Sequence, residues 1–187
     1  MAYYKVSVAE ILKDKPVNTK LYSPLFGDVY FSHVEDSIIN VEHHAGVSKF
    51  FNSGRYYNFD ESEPLLFPSM EMRDWNKFAW KKGDVLVNSR GLKILFDRWA
   101  NDNYTSFYAK TINLVEDGFL DTNLHTLASE KEAKSFIKCI EEKLGGKLNR
   151  ETLEVEKAQP EFKDGDIVYM KGIKSKLFAN CIFILKG

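Results

Sequence analysis

Four histidines, two cysteines and a recurring aspartate are the residues with which this chain could bind a metal or move a proton. Among His33, His43, His44 and His125, only His43-His44 is a close pair, and neighbours on a strand point to opposite faces. Zinc or iron would ask for a third ligand at matched spacing, which the sequence does not supply. Turn or surface histidines are the simpler reading. A Ser or Cys nucleophile needs a base and an oxyanion pocket beside it, yet there is no G-x-S-x-G elbow, and neither Cys139 nor Cys181 has a histidine near it in sequence. The phosphate-cradling patterns G-x-x-x-x-G-K-[ST] and G-x-G-x-x-G are missing as well. Asp14, Asp28, Asp84 and Asp166 are candidates for acid–base work, but the last three each follow a glycine, and that repetition marks a turn. No catalytic residue, metal ligand or cofactor is called for, and a non-enzymatic protein is expected.

The stretch that does carry binding chemistry is 73–98. There Arg73, Trp75, Lys77, Phe78, Trp80, Lys81, Lys82, Arg90, Lys93 and Arg98 interleave cations with rings. Single-stranded nucleic acid or a nucleotide uses both, rings for stacking and cations for phosphate. Residues 83–91 also loosely resemble the opening of SH3-like barrels of the KOW type, several of which bind RNA. Against this stands a plainer reading, in which Trp75, Phe78, Trp80 and Trp99 fill a seam between β-modules and the lysines are solvated. The sequence favours the plainer one. Residues 70–99 hold seven Lys/Arg against four Asp/Glu within a chain of net charge −1, a mildly basic patch that suits a phosphate-bearing partner or simply water.

A repeated device must position these groups. Trp80-Lys81-Lys82-Gly83-Asp84-Val85-Leu86-Val87 is written again as Phe162-Lys163-Asp164-Gly165-Asp166-Ile167-Val168-Tyr169, and the match continues ungapped to Leu95-Phe96 and Leu177-Phe178. Phe26-Gly27-Asp28-Val29-Tyr30 is a third, weaker copy. Gly takes φ > 0 and Asp can bond nearby backbone, so Gly-Asp before an apolar run reads as a turn feeding a strand.

In chain order, Ser7-Val8-Ala9-Glu10 caps a short helix over 8–13 that must stop before Lys15-Pro16. Residues 29–34, 38–43 and 47–51 form a β-meander, with 65–67 as a fourth strand. A linker with a helical turn covers 69–78. Strands at 84–88, 93–99 and 104–115 follow, with Asp117-Gly118 as a turn. Ser129-Glu130-Lys131-Glu132 opens a helix over 130–144 whose Ala133, Phe136, Ile137, Ile140 and Leu144 share one face, and Gly145-Gly146 stops it. Residues 149–152 turn a short hairpin. The last copy, 162–187, is long enough for two strands, which must complete a sheet from the earlier modules or a second chain, unless a longer parent continues beyond Gly187.

Cys139 and Cys181 read as buried reduced thiols. No apolar run approaches the ~20 residues that cross a bilayer, and Met1–Val6 lack a signal-peptide core. The expected fold class is α+β, mainly β: tandem small SH3-like or OB-like barrels with one amphipathic helix, divided as 1–79, 80–122 and 123–187.

Lys20 to Val29, Gly54-Arg55-Tyr56-Tyr57, Leu65 to Ser69 and Arg73 to Phe78 together resemble a recurring module of uncharacterised small β-module proteins from gut Bacteroidales phages and mobile elements. Ala128 to Lys157 is similar to a second segment of those proteins. The resemblance carries no catalytic residues. It implies a bacterial host cytoplasm and a protein that binds, by blocking a host defence complex or sequestering its signal. The expected partner is a host protein complex, with nucleic acid or a nucleotide as the alternative; no membrane is expected, and a homo-oligomer is allowed.

Overall fold

The computed structural model describes residues 7–59 and 63–157, and the strands 167–169 and 182–184 by backbone. It is mainly β, with antiparallel sheets and three helices. Residues up to Glu156 form one unit and Lys157–Gly187 another.

The first sheet runs β1 (Lys20–Ser23), β2 (Gly27–Glu35), β3 (Ile38–His43), β4 (Gly46–Phe50), each antiparallel to the next. Its apolar face, with Leu21, Val29, Phe31, Ile39, Val41 and Phe50, is buried, and α1 (Val8–Lys13) lays Val8, Ala9 and Leu12 on it. The α1 cap is as the sequence predicts: Ser7 Oγ accepts from the Glu10 amide, and the helix ends at Asp14. Residues 65–67 do not form the expected fourth strand. Phe67 makes a single bridge to Tyr22, Tyr56 another to Phe50, and Arg55 a third to Pro64. Tyr56 is thus attached to β4 and Phe67 to β1 by isolated bridges, and among the described residues no sheet closes into a barrel. Pro64 and Pro68 flank residues 65–67; a residue without an N–H cannot extend a ladder.

The second sheet has the order β8-β7-β6-β5-β9, with β5 (Val85–Asn88), β6 (Lys93–Trp99), β7 (Ser106–Lys110), β8 (Glu116–Asp121) and β9 (His125–Leu127). Both faces of its centre are covered. Val85 and Leu95 are partners and point to one side; Leu86 and Ile94, the next pair, point to the other. The first side meets α3 (Glu130–Leu144) through Ile140, with Ala133, Phe136, Ile137 and Leu144 packed around it. The second side meets Trp80, Phe96 and Phe107.

The predicted strand 104–115 is broken. It ends at Lys110, and Thr111–Val115 turn the chain, with Leu114 at φ 58°. The Asp117-Gly118 turn is a bulge inside β8 instead: Phe107 pairs with Leu120 and Ala109 with Asp117, so Tyr108 faces both Gly118 and Phe119. A Cβ on Gly118 would lie 3.2 Å from the Tyr108 ring, so any larger residue there would need that ring to give by a few tenths of an ångström.

The helix α3 has both halves of its capping box and Gly145 in the left-handed region, as expected. Cys139 is exposed, against expectation. It precedes Ile140, and one helical step of about 100° carries it off the apolar face. Cys181 lies outside the described residues, as do Met1–Val6, Phe162–Asp166 and Leu177–Phe178.

The repeated device is partly realised. Gly27 and Gly83 have φ of 75° and 84° and each leads a strand. Their aspartates differ: Asp84 Oδ2 accepts from the Lys81 amide, whereas Asp28 pairs with Lys20 at 2.8 Å. In the last copy β12 (Ile167–Tyr169) is a strand, but Ile167 pairs with Ile184 of β13 (Ile182–Ile184). The equivalent Val85 pairs with Leu95, so the ungapped sequence match does not carry the same register.

Gly83 has a second duty. Arg150, in the turn between β10 (Lys147–Asn149) and β11 (Glu154–Glu156), donates from Nε to the Gly83 carbonyl at 2.9 Å and from its terminal nitrogen to Asp84 Oδ1 at 3.2 Å. A Cβ on Gly83 would lie 2.5 Å from the Arg150 carbonyl. Gly91 has a similar φ of 76° but open space around it. Gly91→Ala is therefore expected to lower stability by about 1 kcal/mol, the left-handed penalty alone. Gly83→Ala should lose about 2–4 kcal/mol, because the hairpin turn must also move; urea unfolding of the two variants measures the difference.

Candidate functional site

The cations and rings of 73–98 separate in three dimensions. Trp75 is buried in the first core, its indole N–H donating to the Leu66 carbonyl at 3.2 Å and its ring edge-on to Phe78. Asp74 caps the short helix α2 (Trp75–Phe78) that holds both. Trp80 is 4% exposed, stacked on Trp99 at 5.8 Å and edge-on to Phe96 and Phe107. Neither indole offers a face for a base to stack on. Trp99 packs against both the first and the second core, and its Nε1 is the only buried side-chain polar atom without a hydrogen-bond partner among the described residues.

Four of the predicted cations face elsewhere. Lys77 donates to the Thr122 carbonyl at 2.9 Å, and Arg73 lies 4.8 Å over the Phe67 ring. Lys93 approaches Glu132 at 3.8 Å, and Arg90 sits exposed in the β5–β6 turn, its amide held by Asn88.

The other three converge. Lys81, Lys82 and Arg98 line one open groove of about 540 Å³ with Trp80, Phe96 and Trp99. Lys15, which the sequence reading did not single out, joins them from the end of α1, with Asp14 beside it. Asp14 pairs with Lys81, and Asp97, nearly buried, receives Lys82 at 3.1 Å and also Arg98. Arg98 continues to Glu116 at 3.1 Å and lies 4.1 Å over Tyr108. The Lys15 ammonium donates to the Phe78 carbonyl at 3.2 Å and sits over that ring. Burial pushes its pKa down, and the Lys81 charge pushes it further the same way. The Lys81 hydrogen bond holds the Asp14 carboxyl below the usual carboxylate range.

A second surface was missed. Phe26, in the β1–β2 turn, stacks on His43 at 4.1 Å and meets Tyr56 edge-on at 5.5 Å; Tyr56 meets Phe59 at 5.4 Å. Phe59 is 52% exposed. The signal was Arg55-Tyr56-Tyr57-Asn58-Phe59, three rings in a polar stretch with no strand period to bury them. His43 and His44 are also closer than strand alternation allows, with ring centroids 5.8 Å apart, because His44 follows the last residue of β3. His125 is not a surface residue: it is buried edge-on to Phe107, with Nδ1 2.9 Å from the Asp121 carbonyl. No group of three or more His, Cys, Asp or Glu among the described residues is placed to hold a metal ion, and no helix there is long and apolar enough to cross a membrane.

No family model, curated protein or solved structure matches this chain.

Two outcomes follow from this geometry. Trp80→Ala should destabilise the fold by about 3–5 kcal/mol, the range for emptying a buried aromatic site, read from denaturant midpoints. His43 Nδ1 accepts from the Ala45 amide at 3.2 Å, so the neutral ring carries its proton on Nε2 and donates to Ser48 Oγ at 2.9 Å. Burial, then the neighbouring His44, lowers its pKa. The folded state thus binds this proton less readily than the unfolded chain. Its contribution to stability is constant above the ordinary imidazole pKa and is lost as pH falls below it. NMR titration should place the His43 midpoint below that of a solvated histidine, and His43→Gln should flatten this part of the stability–pH curve.

Proposed function

We propose that this chain is a non-enzymatic binding protein encoded by a phage or mobile element, acting in the cytoplasm of a bacterial host, where it inhibits a host defence complex by occlusion or sequestration. The observation that supports the reading is the ring network Phe26–His43–Tyr56–Phe59, which is rooted on the first core through Phe26 and Tyr56 and ends at the exposed Phe59. Aromatic side chains with an exposed face supply large contact area at small entropic expense and dominate interface energetics. The same reading takes the first sheet, with its bridges to Tyr56 and Phe67, and the second sheet as open forms of small SH3-like or OB-like modules.

A second reading, nucleic-acid or nucleotide binding, is favoured by the convergence of Lys81, Lys82 and Arg98 on one groove. A pull-down from bacterial lysate with and without nuclease separates the two. The first reading expects a specific protein retained after nuclease, and Phe59→Ala should weaken that complex by about 30-fold, as loss of a hot-spot ring does. Tyr57→Ala, at a ring of similar exposure in a separate stack on Phe51, should leave it unchanged. Capture insensitive to Phe59→Ala, or lost with nuclease, would remove the first reading.

A further inference from the structure

We infer that the groove lined by Lys15, Lys81, Lys82 and Arg98 is a site for one small phosphate-bearing molecule, of mononucleotide size, and not a track for a nucleic-acid strand. The inference rests on the second reading above and narrows it. Four cations against two carboxylates border a groove of about 540 Å³, which is within the size range of small-ligand sites. A strand would need cations continuing beyond the groove, but Arg73, Lys77, Arg90 and Lys93 are directed to other parts of the surface.

The two carboxylates are not equivalent. Asp97 is 8% exposed and holds both Lys82 and Arg98, so it is part of the wall. Asp14 and Lys81 are 60% and 67% exposed, and a pair so solvated contributes little. Lys15, half-desolvated beside Lys81, has no carboxylate of its own in a salt bridge among the described residues. A phosphate dianion entering here displaces the Asp14 carboxylate from Lys81 and takes Lys15 as well, relieving the repulsion between the two ammonium groups. Asp14 is then a competitor built into the site. Of the rings that line the groove, Trp99 alone is partly exposed and meets the body of the ligand, with the buried Trp80 and Phe96 behind it.

The test is titration of the full chain with adenosine 5′-monophosphate, inorganic phosphate and oligothymidylates of increasing length, followed by calorimetry and tryptophan fluorescence. The nucleotide is expected to bind saturably, phosphate more weakly, and oligomers no more tightly as they lengthen. Lys15→Met with Lys81→Met should weaken nucleotide binding by about tenfold or more, the loss of charge-assisted bonds. Asp14→Asn, at an exposed position, should tighten it, which a purely structural aspartate would not do. Nucleotide binding indifferent to these variants overturns the assignment. Affinity that climbs with oligomer length while the mononucleotide fails to bind overturns it too, but leaves the second reading standing. Absence of binding by any probe removes both.

Discussion

Burying both faces of one antiparallel pair is the constraint on which the rest of this structure depends. The β5–β6 pair has water on neither side at its centre, because Val85 and Leu95 go to the α3 side and Leu86, Ile94 and Phe96 to the other. A strand pair covered on both faces reads as a continuous apolar run, and Val85-Leu86-Val87 and Ile94-Leu95-Phe96 are such runs. Each face then requires its own cover. The helix α3 supplies one, and Trp80, Phe107 and Trp99 supply the other. Arg150 fixes where the pair begins, by holding the carbonyl and the carboxylate of Gly83-Asp84 from the β10–β11 turn.

That constraint also explains the interleaving of rings and cations that makes 73–98 resemble a nucleic-acid interface. Where a chain passes in and out of a core, inward positions become Trp and Phe and the residues between them become Lys, Arg and Asp. Trp80 goes in and Lys81-Lys82 stay out; Phe96 goes in and Arg98 stays out. Alternation in sequence therefore reports a wall with one wet side, and only the folded chain tells which cations share the same stretch of that side. Lys81, Lys82 and Arg98 do, because the residues before β5 lie against the middle of β6: Phe96 donates its amide to the Asp84 carbonyl and receives that of Gly83. Lys15 reaches them from over 60 residues away in the chain, as its bond to the Phe78 carbonyl records, which no local pattern could have shown.

What was legible in the sequence was whatever local chemistry decides. The α3 boundaries follow from a hydroxyl, a carboxylate three residues on, an apolar face at 3.6 spacing and a left-handed glycine, all within one segment. The β2–β4 meander follows from alternation and short polar links, whereas β1 is not marked by them. Legibility failed where a partner strand decides. Asp117-Gly118 has the composition of a turn, but a bulge uses the same residues, and here the pairing of β8 with β7 sets Gly118 and Phe119 together opposite Tyr108. Residues 65–67 have the composition of a strand, yet Phe67 makes one bridge only. The repeated Gly-Asp device predicts where β5 and β12 begin but not what they pair with, since registers 85–95 and 167–184 differ.

The two candidate surfaces differ in kind, and the difference bears on how each could have come to exist. The groove is made of charges that the core could not accept, so part of it would be there whether or not anything binds. Its informative features are the ones that folding does not require: a lysine lying half-desolvated beside another lysine, and a carboxylate that neutralises one of them only loosely. The ring network is the reverse. Phe26 and Tyr56 are partly buried against the first core, and burial would have been the default for Phe59 too, since each hidden aromatic contributes favourably to folding. Yet Phe59 keeps half its surface in water, and the Phe26–His43 stack is held by a histidine whose ring nitrogens are both occupied, one by the Ala45 amide in the turn that follows it and the other by Ser48 of β4. A protonated His43 cannot accept from Ala45, so acid loosens the turn and the stack together. A surface ordered by that much local bonding, and left apolar, has foregone folding energy that a partner's surface would recover.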